Sequence, residues 1–208
     1  MSDRRIHVRA GAPTLRERAE GGMPTLVGHA AVFDVETTLF EGKRFRLREV
    51  VRRGAFARAI AASQDVTANM DHDDAILLGR TAPGTVRLRE DDVGLAVEID
   101  LPDTQHGRDV ATLVRRGDLA GMSFAFRPAP GGEQRTIATL PDGRDDVFDE
   151  LTDLDLYDVS AVARPAYRAT DLAVRAAALE AAHRSKAREA WLAPRRRKLG
   201  ALKARITK

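Results

Sequence analysis

The 208-residue sequence contains no cysteine. That excludes disulfides, thiolate metal sites and a cysteine nucleophile, and it fits an intracellular protein. No apolar run approaches the roughly 20 residues of a membrane-spanning helix, so no membrane partner is expected. The first residues, MSDRRIHVRAG, are charged and lack the apolar centre of a signal peptide. The phosphate-cradling patterns GxxxxGK(S/T) and GxGxxG are missing, and so is the zinc pattern HExxH. Neither a metal nor a cofactor is expected. Aromatic residues are only 5% of the chain, and no internal repeat is visible.

Charge is plentiful. The chain has 34 Lys+Arg against 31 Asp+Glu, a net charge of +3 with neutral histidines. That small sum hides an asymmetry. Residues 174–208 carry 11 basic and 2 acidic side chains, a net +9, while the other 173 residues carry 23 and 29, a net −6. An acidic body with a basic appendage is the reading. A body of about 150 residues buries roughly two-thirds of its extended-chain surface, enough for a core without staples.

The body reads as many short strands with two helices. TLVGHAAVF (25–33) and FRLREVV (45–51) are strand-like, and GAFARAIAAS after Gly54 has helical spacing. DVTANMDHDD (65–74) runs from a strand into a polar turn, and AILLGR (75–80) reads as a buried run. TVRLRE and LAVEIDL flank Asp91, Asp92 and Gly94 as a hairpin. Thr104 suits an N-cap, Val110, Leu113 and Val114 form an apolar stripe, and Gly117 suits the left-handed C-cap. LAGMSFAFRP (119–128) is a strand, RTIATL and DVFDEL pair around Pro141-Asp142-Gly143, and LDLYDVSAVARPAY (154–167) is a long strand ending near Pro165. From about Asp171 an Ala-rich charged segment predicts a helix leaving the body, followed by a basic disordered end. Strands without βαβ alternation predict a mainly β or α+β, antiparallel architecture.

Few residues stand out as chemistry. Asp71-His72-Asp73-Asp74 could attract a cation, but a solvated polar turn is the better reading, because no second histidine is near. His72 at a strand mouth among carboxylates has the setting of a general base, and a surface histidine without a role fits equally well. His29 in an apolar strand reads as a satisfied core or edge histidine, and His106 as a surface residue. Ser123 is a lone hydroxyl in the strand Gly121–Phe126; the surroundings are not a GxSxG elbow, and on residue chemistry alone a strand serine bonded to a neighbouring carbonyl is the better reading. Asp158 and Ser160 share one face of the 154–167 strand, with Tyr157, Val159 and Ala161 on the other. A carboxylate bounded by apolar residues needs a partner, for which an imidazolium is suitable; an exposed aspartate on an edge strand fits the sequence equally well.

Taken in order, several segments resemble the caudovirus prohead protease family, the phage capsid-maturation serine proteases similar in fold to herpesvirus assemblins. They are Gly28-His29-Ala30-Ala31-Val32-Phe33-Asp34, Glu49-Val50-Val51 with Gly54-Ala55-Phe56, and Asn69-Met70-Asp71-His72-Asp73 with Leu78-Gly79. Gly94-Leu95, Gly107-Arg108-Asp109-Val110 and Leu113–Gly117 follow, then Gly121-Met122-Ser123-Phe124-Ala125-Phe126, and Leu156-Tyr157-Asp158-Val159-Ser160 with Pro165-Ala166. Arg53 stands where the family has proline, Asp71 is inserted before the histidine, Ala125 replaces glycine and Asp158 replaces glutamate. The resemblance spans roughly residues 25–172.

It implies a serine endopeptidase with Ser123 as nucleophile, His72 as general base and Asp158 as the third member. It implies a closed antiparallel β-barrel flanked by helices over 25–172, with an N-terminal arm over 1–24 and the basic tail over 173–208. The implied partners are the major capsid protein with its scaffolding segment, and the protease itself as substrate; homo-oligomerisation is left open. The implied location is the host bacterial cytoplasm, inside the assembling procapsid. Two other readings stay open on the sequence. One is a non-catalytic capsid assembly or scaffolding protein that keeps the protease fold. The other is nucleic-acid binding by the tail, disfavoured because Trp191 is its one aromatic residue.

Overall fold

The computed structural model describes residues 5–7, 11–19 and 21–163. Within them lie β1 (Arg5–His7), β2 (Thr14–Arg16), β3 (Thr25–Val32), β4 (Thr37–Glu41), β5 (Phe45–Val51), α1 (Ala57–Ala61), β6 (Thr67–Met70), β7 (Asp73–Arg80) and β8 (Val86–Glu90). Then follow β9 (Gly94–Asp100), α2 (Gln105–Arg116), β10 (Gly121–Pro128), β11 (Glu133–Thr139), β12 (Asp145–Leu151) and β13 (Leu154–Val162). The expected helical tail lies outside the described residues.

The mainly β expectation is borne out, with three sheets ordered β1-β10-β13-β6-β7, β11-β12-β5-β4 and β2-β3-β9-β8. These pairings form separate sheets, and no closed barrel is formed by them among the described residues. The antiparallel expectation holds for most pairs and is corrected at two. β12 runs parallel to β5, and β13 runs parallel to β6. Parallel neighbours need long crossover connections, so they join segments about 100 residues apart and leave no local signature. β1 and β2, in the segment expected as an arm, pair with β10 and β3.

The reading of Ala75–Arg80 as a buried run is also corrected. β7 is an edge strand, only Leu78 is buried, and Leu77 is 48% exposed. The caps of α2 follow expectation. Thr104 Oγ1 accepts from the Gly107 N–H at 3.2 Å, and Gly117 closes the helix at φ +80°.

The core lies under β10. Phe124 meets Phe56 edge-on at 5.2 Å and Phe126 at 5.1 Å, all fully buried. Each such ring contributes about 1.5–3 kcal/mol. Gly28 on β3 lets that strand approach, since a Cβ there would sit 2.6 Å from Met122 Sδ. Side chains alternate along a strand, so anchoring Met122, Phe124 and Phe126 in the core turns Ser123 to the other face.

Candidate active site

Ser123 is fully buried on β10, the second strand of the five-stranded sheet. Across β10, β13 and β6 the register is Ser123↔Ser160↔Asn69, so the three polar side chains share one face. All three are fully buried.

Asp158 reaches that face through a β-bulge. Along β10 and β13 the register is Ala125↔Asp158 and then Phe126↔Leu156, which skips Tyr157. Leu154 and Leu156 therefore point into the core, yet Asp158, two residues on, points with Ser123 and Ser160. Bulges re-aim side chains in this way and occur beside active sites. The expectation that Asp158 and Ser160 share a face is met; Tyr157 is the extra residue.

His72 comes from the β6–β7 hairpin. Met70 pairs with Asp73, leaving Asp71 and His72 as a two-residue loop with φ +50° and +58°. Both central residues in the left-handed region is type I′ geometry, costing roughly 1–2 kcal/mol per ordinary L-residue. The surroundings hold it there. The Asp71 N–H donates to the Ala161 carbonyl at 3.0 Å, and the Ala163 N–H to Asp71 Oδ1 at 3.2 Å. The His72 N–H donates to Ser160 Oγ at 3.2 Å.

The His72 ring bridges the other two residues. Its Nε2 lies 2.6 Å from Ser123 Oγ and its Nδ1 lies 2.5 Å from Asp158 Oδ1. With the proton on Nδ1 facing the carboxylate, Nε2 keeps a lone pair for the serine hydroxyl. Asp158 Oδ1 also accepts from Ser160 Oγ at 3.1 Å. The His72 side chain is 5% exposed and Asp158 is fully buried, so these bonds act out of water, where they are electrostatically stronger. The arrangement can deprotonate the serine hydroxyl and stabilise the imidazolium that results.

The other sequence candidates lie elsewhere. The acidic residues beside His72 each serve the backbone or a neighbour: Asp73 Oδ1 accepts from the Ala75 N–H at 2.9 Å, and Asp74 Oδ1 from Asn69 Nδ2 at 3.1 Å. His29 Nε2 sits 2.9 Å from Asp91, whose carboxylate also takes the Val93 and Gly94 N–H groups of the β8–β9 turn. Sequence reading left out the place of Asn69 under the site and the bridging role of Ser160. The signal for Ser160 was its spacing of two from Asp158 on one strand.

A family model described as caudovirus prohead serine protease matches residues 12–185. Among solved structures, the chain is similar to the capsid assembly protease of bacteriophage T4, with a TM-score of 0.46 and 10% identity over 76% of this chain and 96% of that one. No curated protein sequence matches it.

Proposed function

The chain belongs to the caudovirus prohead serine protease family, and from that premise we propose that Ser123, His72 and Asp158 are its catalytic triad. Ser123 Oγ attacks the scissile carbonyl while its proton passes to His72 Nε2. Asp158 holds the ring in the useful tautomer and stabilises the imidazolium. His72 then returns the proton to the leaving amine, giving an acyl-enzyme on Ser123. Water, deprotonated by the same nitrogen, attacks the ester and releases the second product. The observation carrying this reading is the continuous chain from Ser123 Oγ through both ring nitrogens to a fully buried carboxylate. Such a chain holds a strained histidine turn, a cost that a non-catalytic assembly protein has no chemical reason to bear.

The finer reading follows from the family. The substrates are the scaffolding segment of the major capsid protein and the protease itself, processed inside the procapsid in the host cytoplasm. Residues 1–24 lead into the protease domain over 25–172, with β1 and β2 joining its sheets, and 173–208 are a basic tail that holds the enzyme to acidic scaffold. The sheets containing β10 and β9 share one core, and their closure into the barrel implied by the family resemblance belongs to the same proposal. Coexpression with the neighbouring capsid protein tests the function. Capsid protein mass should fall with the wild type and stay unprocessed with Ser123→Ala.

A further inference from the structure

His72 is presented by a hairpin whose base is irregular. Met70 pairs with Asp73, and the next pair is Asn69 with Leu77. Asp74, Ala75 and Ile76 therefore bulge out of the ladder, one residue past the turn that carries the histidine. Packing does not fix this bulge. Asp74 and Ala75 are exposed, and Ile76 borders a cavity of about 340 Å³ that Met70 and Leu113 also line. Bulged residues lie outside the ladder hydrogen bonds, so a side chain has to supply the missing tie. Asn69 supplies it. Its Nδ2 donates to Asp74 Oδ1 at 3.1 Å. Its Oδ1 is buried with no hydrogen-bond partner among the described residues. The amide cannot turn over without setting that oxygen against the Asp74 carboxylate. An acceptor left unpaired in a buried place costs free energy that an apolar side chain of similar size would avoid. Asn69 bears that cost while its nitrogen holds the bulge.

We propose that Asn69 is a positioning residue for His72: by holding Asp74 across the bulge, it keeps the return limb of the hairpin, and with it the imidazole, in line with Ser123 and Asp158. This rests on reading His72 as the general base. The other ties of the turn, from Asp71 and His72 to Ala161, Ser160 and Ala163, run to β13 and the residue after it. They hold the turn on the β13 side, and the Asn69 bond holds the limb that leaves it. The ring contacts of 2.6 Å to Ser123 and 2.5 Å to Asp158 leave little room for drift. Displacing a reacting group slightly lowers the rate of the chemical step, even when the change lies away from the reacting atoms.

The test uses the full-length chain and two readouts, digestion of fluorescein-labelled casein and the proton NMR signal of His72. Asp74→Ala removes the acceptor from the exposed side and should lower kcat roughly tenfold with KM within about twofold. Asp74→Asn keeps an acceptor oxygen and should stay within about threefold of the wild type. Asn69→Asp sets two carboxylates together and should lower kcat by roughly tenfold or more; adding Asp74→Asn, which exchanges donor and acceptor, should recover about fivefold or more. The downfield Nδ1–H signal of His72, assigned by its loss in His72→Ala, should be sharp in the wild type, Asp74→Asn and the exchanged pair. It should broaden in Asp74→Ala and Asn69→Asp. Wild-type kcat in Asp74→Ala overturns the proposal, as does an exchanged pair that is folded by circular dichroism yet no faster than Asn69→Asp alone. Should Asn69→Asp fail to fold, the contrast of Asp74→Ala with Asp74→Asn decides, and equal kcat in those two overturns it. If the signal follows this pattern and the wild type cuts no casein, the protease reading fails and the brace stands.

Discussion

The backbone N–H of His72 donates to the side chain of Ser160, and the same hydroxyl donates to Asp158. One oxygen thus ties the strained turn to the carboxylate that orients its ring. Ser160→Ala removes both bonds in a fully buried place, each worth about 1–3 kcal/mol when a partner is left unsatisfied. Scaffold processing should slow about 10- to 100-fold, and Ser160→Thr, which keeps the hydroxyl, should recover most of it. Steady-state rates of the three proteins check this. Equal rates in wild type and Ser160→Ala would leave His72 held by the ring contacts alone.

Ser123→Ala removes one oxygen from a strand anchored by Met122, Phe124 and Phe126, so the fold should persist. Turnover should fall on the order of a millionfold. The same variant tests self-processing. Arg175–Ala182 offers small side chains just past the protease domain in sequence, and the wild type should shorten itself between about residues 173 and 190, where chain ends concentrate proteolysis. Intact-mass spectrometry of both proteins, purified side by side, decides; identical trimming in Ser123→Ala would assign the cuts to host enzymes.

Asp158→Asn keeps the shape of the side chain but loses the charge facing His72 Nδ1. It favours the wrong tautomer and should lower kcat by about 10⁴, less than loss of the nucleophile. A rate within threefold of wild type would move the orienting role to another group.

Acid should also weaken the fold through carboxylates outside the site. Glu98, bonded by Arg16 and then by Arg87, is held at about 2, below its ordinary 4.5. Asp155 is likewise lowered from 3.8 to about 2 by Arg58, then Gln64 and Arg127. A folded-state value below the unfolded one gives stability that is complete above the unfolded value and lost as pH falls through the folded one. Urea midpoints should therefore hold steady from pH 8 to about 5 and decline between about 4.5 and 2. Glu98→Gln with Asp155→Asn should start lower at pH 7 and decline less. An unchanged slope would place the acid sensitivity elsewhere. Both pairs lie near solvent, so added salt should shrink the effect.

Much of this arrangement was legible in the chain. Thr104, Gly117 and the turns at Asp91–Gly94 and Pro141–Gly143 announce α2 and the hairpins because caps and turns are local chemistry. Ser123, His72 and Asp158 stand out through ordered motifs, not through any single residue. β1 and β2, at three residues each, are too short for periodicity to register. The exposure of β7 and the parallel neighbours of β5 and β6 depend on which distant strand lies alongside, and alternation along one segment cannot report that.

Tyr157 joins two reading frames. Before it, even-numbered positions of β13 belong to the core; after it, odd-numbered ones do. A strand without this spare position could not carry Leu154 and Leu156 inward and also present Asp158 and Ser160 to the serine. The join also sets where the gene can change length. Losing Tyr157 merges the frames into a regular strand and leaves every remaining side chain on its side. Losing Val159, two codons later, throws Asp158 in among the phenylalanines and breaks its contact with His72 without touching one residue of the proposed triad.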